Sequence, residues 1–296
     1  MARAMGARLA LGLLWLVHWL PLRAQVAIGG GLGALLHRLA SPRRRIALRN
    51  VELCMPELDA AERAQLVREH FHWLGRSIVE RGLLWYAPAQ HLRGLIHVEG
   101  DIGLAERSEA PVMWLVPHFL ALDVAAAAVL LFQARPGATI YQTQSSPVFD
   151  AAIRRGRLRF GHAELFSRSE GARPLMRAIR DRRLCFFNLP DMDFGARDAA
   201  FVPFFGVQAA TLLAPSRMAK ALNMVVQPVL AHMLPGTRGY RVRFLEPWRD
   251  FPSADPLADA ARMNLWIEAQ VRADPAQYLW VHKRFKTRPP GEPSLY

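Results

Sequence analysis

Two kinds of hydrophobic pattern run along the chain, and one gives way to the other near residue 95. Before that point apolar residues recur at helical spacing. Leu66, Phe71, Leu74, Ile78 and Leu83 share one face of a long amphipathic helix predicted over 57–85. Two apolar stretches precede it, Leu9–Leu22 and Val26–Leu39. Beyond residue 95 the apolar runs are short and continuous: Val112–Val116, Ala138–Tyr141, Leu184–Leu189, Met224–Leu230 and Val242–Leu245. Helix-like segments over about 119–134, 147–160, 171–182 and 211–222 separate most of them. Continuous apolar strands alternating with helices predict an α/β fold, with a mainly parallel central sheet flanked by helices. Residues 201–210 read as irregular and aromatic, and the tail as helices near 257–273 and 275–285. No internal repeat and no long linker interrupts this pattern.

The N-terminus has no Asp or Glu before Glu52. Leu9–Leu22 is short for a spanning helix, which needs about 20 residues. Three readings fit this segment: a cleaved signal peptide with Arg3 and Arg8 ahead of its apolar run, an organellar transit peptide, and a retained anchor or re-entrant segment. Arg43, Arg44, Arg45 and Arg49 follow at once. Such a cluster holds the adjoining domain on the cytoplasmic side and attracts anionic headgroups. Residues 29–34 (GGGLGA) fit GxGxxA but follow no strand, so they read as small-residue packing rather than a dinucleotide site.

The formal net charge of +13 points to phosphates, anionic lipid surfaces or nucleic acid as partners. Lys220, Lys283 and Lys286 are the only lysines, and Arg suits phosphate because it binds bidentately. No nucleic-acid-binding motif accompanies the charge, and the cations are scattered among apolar strands. No GxSxG elbow is present, which argues against a serine α/β-hydrolase. Cys54 and Cys185 form no CxxC pair, and Cys185 lies in an apolar run as a core residue would. Lys283, Arg284, Lys286 and Arg288 read as a solvated basic face around packing residues Trp280 and Phe285.

The chemistry centres on VPHFLALD, residues 116–123. A strand ends there, and His118 lies at the turn into a helix, where α/β sheets gather their active groups. An imidazole is a workable base near neutrality. Asp123 lies five residues on, and from the helix its carboxylate could fold back onto the ring and fix the tautomer. Three further stretches follow in order: ELFSR ending at Arg168, FNLPDMDFG carrying Asp191 and Asp193, and VVQPV with Pro228 inside a strand.

These four blocks resemble the lysophospholipid acyltransferase superfamily, with its H-x4-D/E motif, Arg block, Pro-acid block and Pro-containing strand. Residues 191–211 (DMDFGARDAAFVPFFGVQAAT) and 278–289 (YLWVHKRFKTRP) are similar to the bacterial lipid A late acyltransferases, the lauroyl and myristoyl transferase group. Arg157 and Arg159 fit the same branch. Asp123 stands where that branch often has Glu, and Ala121 and Leu122 replace its aromatic pair. The resemblance implies His118 as general base, Asp123 as its partner, Arg168 on phosphate or developing negative charge, and Asp191 supporting substrate or an arginine network. Asp193, Arg157 and Arg159 complete the implied substrate-binding set. It also implies an acyl carrier protein thioester as donor and a phosphorylated, Kdo-bearing lipid A precursor as acceptor, with inner membrane lipids as neighbours. No metal, cofactor or nucleic acid is called for. With that chemistry downstream, residues 1–45 are expected to form a retained membrane anchor and 46–296 the catalytic domain, on the cytoplasmic side of a bacterial inner membrane. The alternatives are a related enzyme acting on another glycolipid or lysophospholipid, and a non-catalytic basic protein that binds membrane or nucleic acid.

Overall fold

The computed structural model describes residues 2–296, with side chains from Ala4 onward, so Arg3 of the expected N-terminal basic pair lies outside the described side chains. Three helices open the chain: α1 Ala2–Val17, α2 Leu22–Leu39 and α3 Ser41–Cys54. Residue 45, the expected domain boundary, falls inside α3. At 16 residues α1 is about 24 Å long. Among the described residues no helix is long and apolar enough to cross a membrane.

The predicted 57–85 helix divides in two. Asp59 caps α4 (Ala60–Val79) through a reciprocal capping box with Glu62, so the helix starts later than its apolar pattern. It ends at Glu80, and a short separate helix α5, Arg81–Tyr86, follows at once. Glycines bring α2 against α4. A Cβ on Gly33 would stand 2.2 Å from the Phe71 carbonyl oxygen, and one on Gly75 would stand 2.2 Å from that of Gly29. The small residues of 29–34 thus serve helix packing.

After α6 (Ala89–Leu95), strand β1 (Ile96–Gly100) and the single turn α7 (Leu104–Arg107), the alternating part runs β2 Val112–Leu115, α8 Leu122–Leu131, β3 Gly137–Tyr141, α9 Pro147–Arg157, β4 Ala163–Ser167, α10 Arg173–Arg182 and β5 Cys185–Asn188. An antiparallel hairpin follows, β6 Ala199–Phe204 and β7 Val207–Leu212, then α11 Ala214–Ala221, β8 Val225–Met233, β9 Tyr240–Phe244 and α12 Pro256–Ala273. The seven-stranded sheet has the order β1-β9-β8-β2-β5-β3-β4. Its pairs are parallel except β8 with β9. One face is covered by α8 and α9, which pack on Trp114 and Phe187. The other is covered by α10, α11 and α12, which pack on Met113 and Phe186. Side chains of β2 alternate between the two cores, as a doubly buried strand requires.

The irregular reading of 201–210 is corrected by the hairpin. Phe205 and Gly206, both at positive φ, form its two-residue turn, a geometry that favours glycine at the second place. The helix expected near 275–285 is also absent. Only a single turn of 3-10 helix, Pro275–Gln277, forms there, and the following chain lies irregularly against the sheet. That segment is held by a third core, in which Trp280 and Phe285 pack with Phe71 of α4 and Val51 of α3. Cys185 is fully buried in the main core.

Candidate active site

β2 and β5 are parallel neighbours, so the chain leaves both strands at the same end of the sheet. The Val116 amide donates to the Asn188 carbonyl at 2.9 Å, which extends the seam by one step. His118 after β2 and Asp191 after β5 therefore meet. The backbone N–H of His118 donates to Asp191 Oδ2 at 2.9 Å, and Nδ1 lies 2.6 Å from Oδ1. Burial opposes ionisation of Asp191, but His118, by charge and by both hydrogen bonds, and the Arg284 guanidinium hold its carboxyl below the ordinary value. With Asp191 ionised, Nδ1 is the donor in this contact and Nε2 is left as an acceptor. The tail locks the loop from above: the Leu279 amide donates to the His118 carbonyl at 3.0 Å, and the Leu120 amide to Gln277 O at 2.8 Å.

Asp123 does not take the place expected of it beside the imidazole. It sits in the first turn of α8, where Arg81 of α5 and Arg157 of α9 converge on it. Arg157 Nη2 lies 2.8 Å from Oδ1 and Arg81 Nη2 lies 3.0 Å from Oδ2. Burial opposes the charge on Asp123, but these two guanidiniums, with His118 as a lesser contributor, carry its carboxyl below the usual range. Two cations from neighbouring helices outcompete one imidazole whose Nδ1 is already engaged. The H-x4-D spacing allowed either arrangement, and the β2–β5 adjacency decides between them. Arg81 was not foreseen, because it lies in the apolar helical stretch with no motif around it.

The other expected residues divide. Asp193 is buried and braces the tail, accepting from the Thr287 amide at 2.7 Å, the Thr287 hydroxyl at 2.8 Å and the Gly195 amide at 2.9 Å. Its own amide donates to His282 Nε2 at 3.2 Å. Burial, and then the charge of His118, lower His282 to about 4, so it faces the site as a neutral acceptor. Arg168 lies on the exposed rim with its guanidinium 4.0 Å from the centre of the Phe194 ring. Arg159 is not brought to the cluster. It donates to the carbonyls of Leu84 and Ala87 at 3.1 and 2.9 Å, tying the end of α5 in place.

Arg284 departs from the expected solvated face. It is buried, with Nη1 on the Ala210 carbonyl at 2.8 Å and Nη2 on the Thr211 hydroxyl at 2.9 Å. It stands between Lys283 and Phe285 in HKRFK, and the cations around it hid its burial. Tyr278 also joins the cluster, its hydroxyl raised well above the ordinary value by burial and then by the charge of Asp191.

A small cavity of about 290 Å³ touches His118, Asp191, Tyr278, His282 and Arg284. A much larger cleft of about 1630 Å³, partly open to solvent, passes beside it. Leu13 and Val17 of α1 and Ile28 and Leu32 of α2 form its apolar side, and Phe119, Leu279, Asp123 and Arg157 its inner end. Such a space suits a lipid chain running toward an imidazole and two arginines. Among the described residues, no three His, Cys, Asp or Glu side chains group as a metal site.

A family profile described as bacterial lipid A biosynthesis acyltransferase matches residues 1–287. The lipid A biosynthesis lauroyltransferase of Escherichia coli (strain K12) is 32% identical over 291 residues, covering 97% of this chain and 94% of its own. The lipid A biosynthesis palmitoleoyltransferase of the same organism is 32% identical over 289 residues, covering 97% of this chain and 92% of its own. Its lipid A biosynthesis myristoyltransferase is 33% identical over 267 residues, covering 90% and 82%. The chain belongs to the bacterial lipid A biosynthesis acyltransferase family, and it is an acyltransferase.

Proposed function

We propose that the protein moves a fatty acyl group from an acyl carrier protein thioester to a hydroxyl of a phosphorylated, Kdo-bearing lipid A precursor. The names of its relatives support the acceptor class. The observation that carries the mechanism is the carboxylate of Asp191 on Nδ1 of His118, next to Phe119 at the inner end of a large apolar cleft. Nε2 takes the proton of the acceptor hydroxyl as its oxygen attacks the thioester carbonyl. The tetrahedral oxyanion collapses, the carbon–sulfur bond breaks, and the imidazolium returns the proton to the departing thiolate. Ester and free thiol result, with no covalent enzyme intermediate. Asp191 fixes the tautomer and stabilises the imidazolium. Asp123 acts one step away, holding Arg81 and Arg157 at the cleft rather than touching the base. Arg168, on the rim, meets phosphate of the acceptor.

The same reading places the N-terminal helices on the inner membrane, with the catalytic domain on the cytoplasmic face. Leu9, Leu13, Leu16 and Trp19 are between 57% and 70% exposed, a row of large apolar side chains that water does not favour. With no spanning helix among the described residues, we read α1 and α2 as lying in the interface, apolar face down. The test is direct. Purified protein in detergent micelles receives acyl carrier protein charged with a labelled acyl group and the Kdo-bearing precursor. Mass spectrometry should find the precursor heavier by one acyl group less a hydrogen. No ester product from any saturated acyl donor would refute the assignment.

A further inference from the structure

Arg284 carries a buried charge that no carboxylate touches. The residue is 3% exposed, and its guanidinium rests on two neutral oxygens of the β6–β7 hairpin, the Ala210 carbonyl and the Thr211 hydroxyl. Phe204 of the same hairpin lies against it, with the ring centre 5.2 Å from the guanidinium carbon. Among the described residues Arg284 forms no ion pair, and its Nε is buried with no hydrogen-bond partner. A clip between tail and hairpin needs donors, which a neutral amide also supplies. A guanidinium taken out of water costs far more, unless a negative charge nearby offsets the loss. The buried carboxylate of Asp191 lines the same cavity, together with His118.

The other ionisable groups around His118 and Asp191 leave that place to Arg284. Burial pushes the Cys54 thiol of α3 far up and raises the Tyr278 hydroxyl well above its ordinary value, so both stay neutral. His282, lowered to about 4 by burial first, is neutral as well. Asp123 of α8 is matched by Arg81 and Arg157. Asp193 is taken up by Thr287 and the Gly195 amide. Lys283 and Lys286 are exposed, where water and salt screen them. Among the described residues Arg284 is the one buried cation facing the pair.

We propose that Arg284 is a positioning residue for the base: the hairpin holds its guanidinium at a fixed place, and from there its charge opposes protonation of the His118–Asp191 pair. The proposal rests on the general-base reading above. With Asp191 ionised and His118 neutral the pair is ready to accept the substrate's proton. A proton taken from water instead silences it, and a fixed cation makes that uptake harder. The anchor is itself fixed. Thr211 Oγ1 accepts from Asn264 Nδ2 of α12 at 3.2 Å, and the same nitrogen donates to the Pro203 carbonyl at 2.8 Å. The hairpin thus acts on the reaction without touching substrate.

The test is the pH profile of kcat/KM for acyl transfer, whose acid limb reports the essential base of the free enzyme. Arg284→Gln removes the charge and keeps donors. Its acid limb should lie about one pH unit higher than in the wild type, at the low end of what a nearby charge is worth. Arg284→Lys keeps a charge and loses the planar fork, so its limb should stay close to the wild type while kcat falls. Thr211→Val nearly preserves shape and removes one of the two anchors. Its limb should move in the same direction by less, and this variant keeps the test open if the Arg284 variants do not fold. An unmoved limb in folded Arg284→Gln or Thr211→Val overturns the proposal, as do equal movements in Arg284→Gln and Arg284→Lys, because Arg284 would then be a clip alone. If the wild type transfers no acyl group, or His118→Ala keeps normal turnover, the proposed function or its base fails instead, which separates the outcomes.

Discussion

Replacing Asp191 with Asn keeps the shape of the side chain and removes the charge, at a position that water does not reach. In the structure both carboxylate oxygens accept from the same residue, one from the His118 backbone N–H and one from Nδ1. An amide offers one acceptor and one donor group, so it cannot satisfy both. If its NH2 faces the ring, Nδ1 must become the acceptor and the proton moves to Nε2, which leaves no base toward the substrate. If its NH2 faces the backbone N–H instead, two donors confront each other in a dry site, at a cost of about 1–3 kcal/mol. Either way the imidazolium loses its counter-charge. General-base assistance is typically worth about 10²- to 10⁴-fold, so Asp191→Asn should lower kcat by that order. The loss should match that of His118→Ala, and the double variant should be little worse than either, because the two groups act as a unit. The assay is acyl transfer by purified variants whose thermal unfolding is followed alongside. A folded Asp191→Asn protein with more than half of wild-type turnover would refute the reasoning, as would losses that multiply in the double variant.

Arg168→Ala should lower activity far more than Arg288→Ala, since exposed Arg168 is held only by Phe194, through its ring and its carbonyl, and has no carboxylate partner among the described residues, whereas Arg288 is paired with Glu292; equal activities in folded proteins would remove Arg168 from the phosphate site. Arg168→Lys should rescue poorly, because a point charge lacks the bidentate fork. Stability should fall with acid before the carboxylates titrate. Burial lowers His70 from 6.5 to about 4, so between those pH values the unfolded chain takes up a proton that the folded chain refuses. That loses roughly 1.4 kcal/mol per pH unit, about 3 kcal/mol in all, and nothing above pH 6.5. Urea unfolding of His70→Gln should show a shallower slope across that window; an identical slope would contradict the account. Replacing Leu9, Leu13 and Leu16 together with Ser should weaken binding to anionic vesicles in a flotation assay, and unchanged flotation would count against α1 as the interfacial element.

The parts of the fold legible from sequence are those whose burial is uniform. The strands β2, β3, β5, β8 and β9 are apolar along most of their length because helices or the N-terminal segment cover them, and each lay within a residue or a few of its predicted run. The two missed strands of the sheet, β1 and β4, are its edges. Their sequences, IHVEG and AELFS, mix polar and apolar residues because one side meets solvent, and no continuous run results. The hairpin was hidden by Pro203 and by an aromatic turn residue at positive φ. At the site, His118 was legible because a strand end followed by a turn marks it locally. Its partner was not, since spacing along the chain favoured Asp123, whereas strand order brings in Asp191 from 73 residues away. Arg284 was missed for a similar reason: a cation among cations reveals nothing about which one turns inward.

The central claim is that His118 removes the acceptor's proton. The most direct test is the transfer rate of His118→Ala from charged carrier protein to the lipid A precursor, with protein folding and vesicle attachment checked to be unchanged. The account predicts a fall in kcat by a factor of about 10²–10⁴, the usual worth of a general base. Near-normal turnover of that folded protein would contradict it.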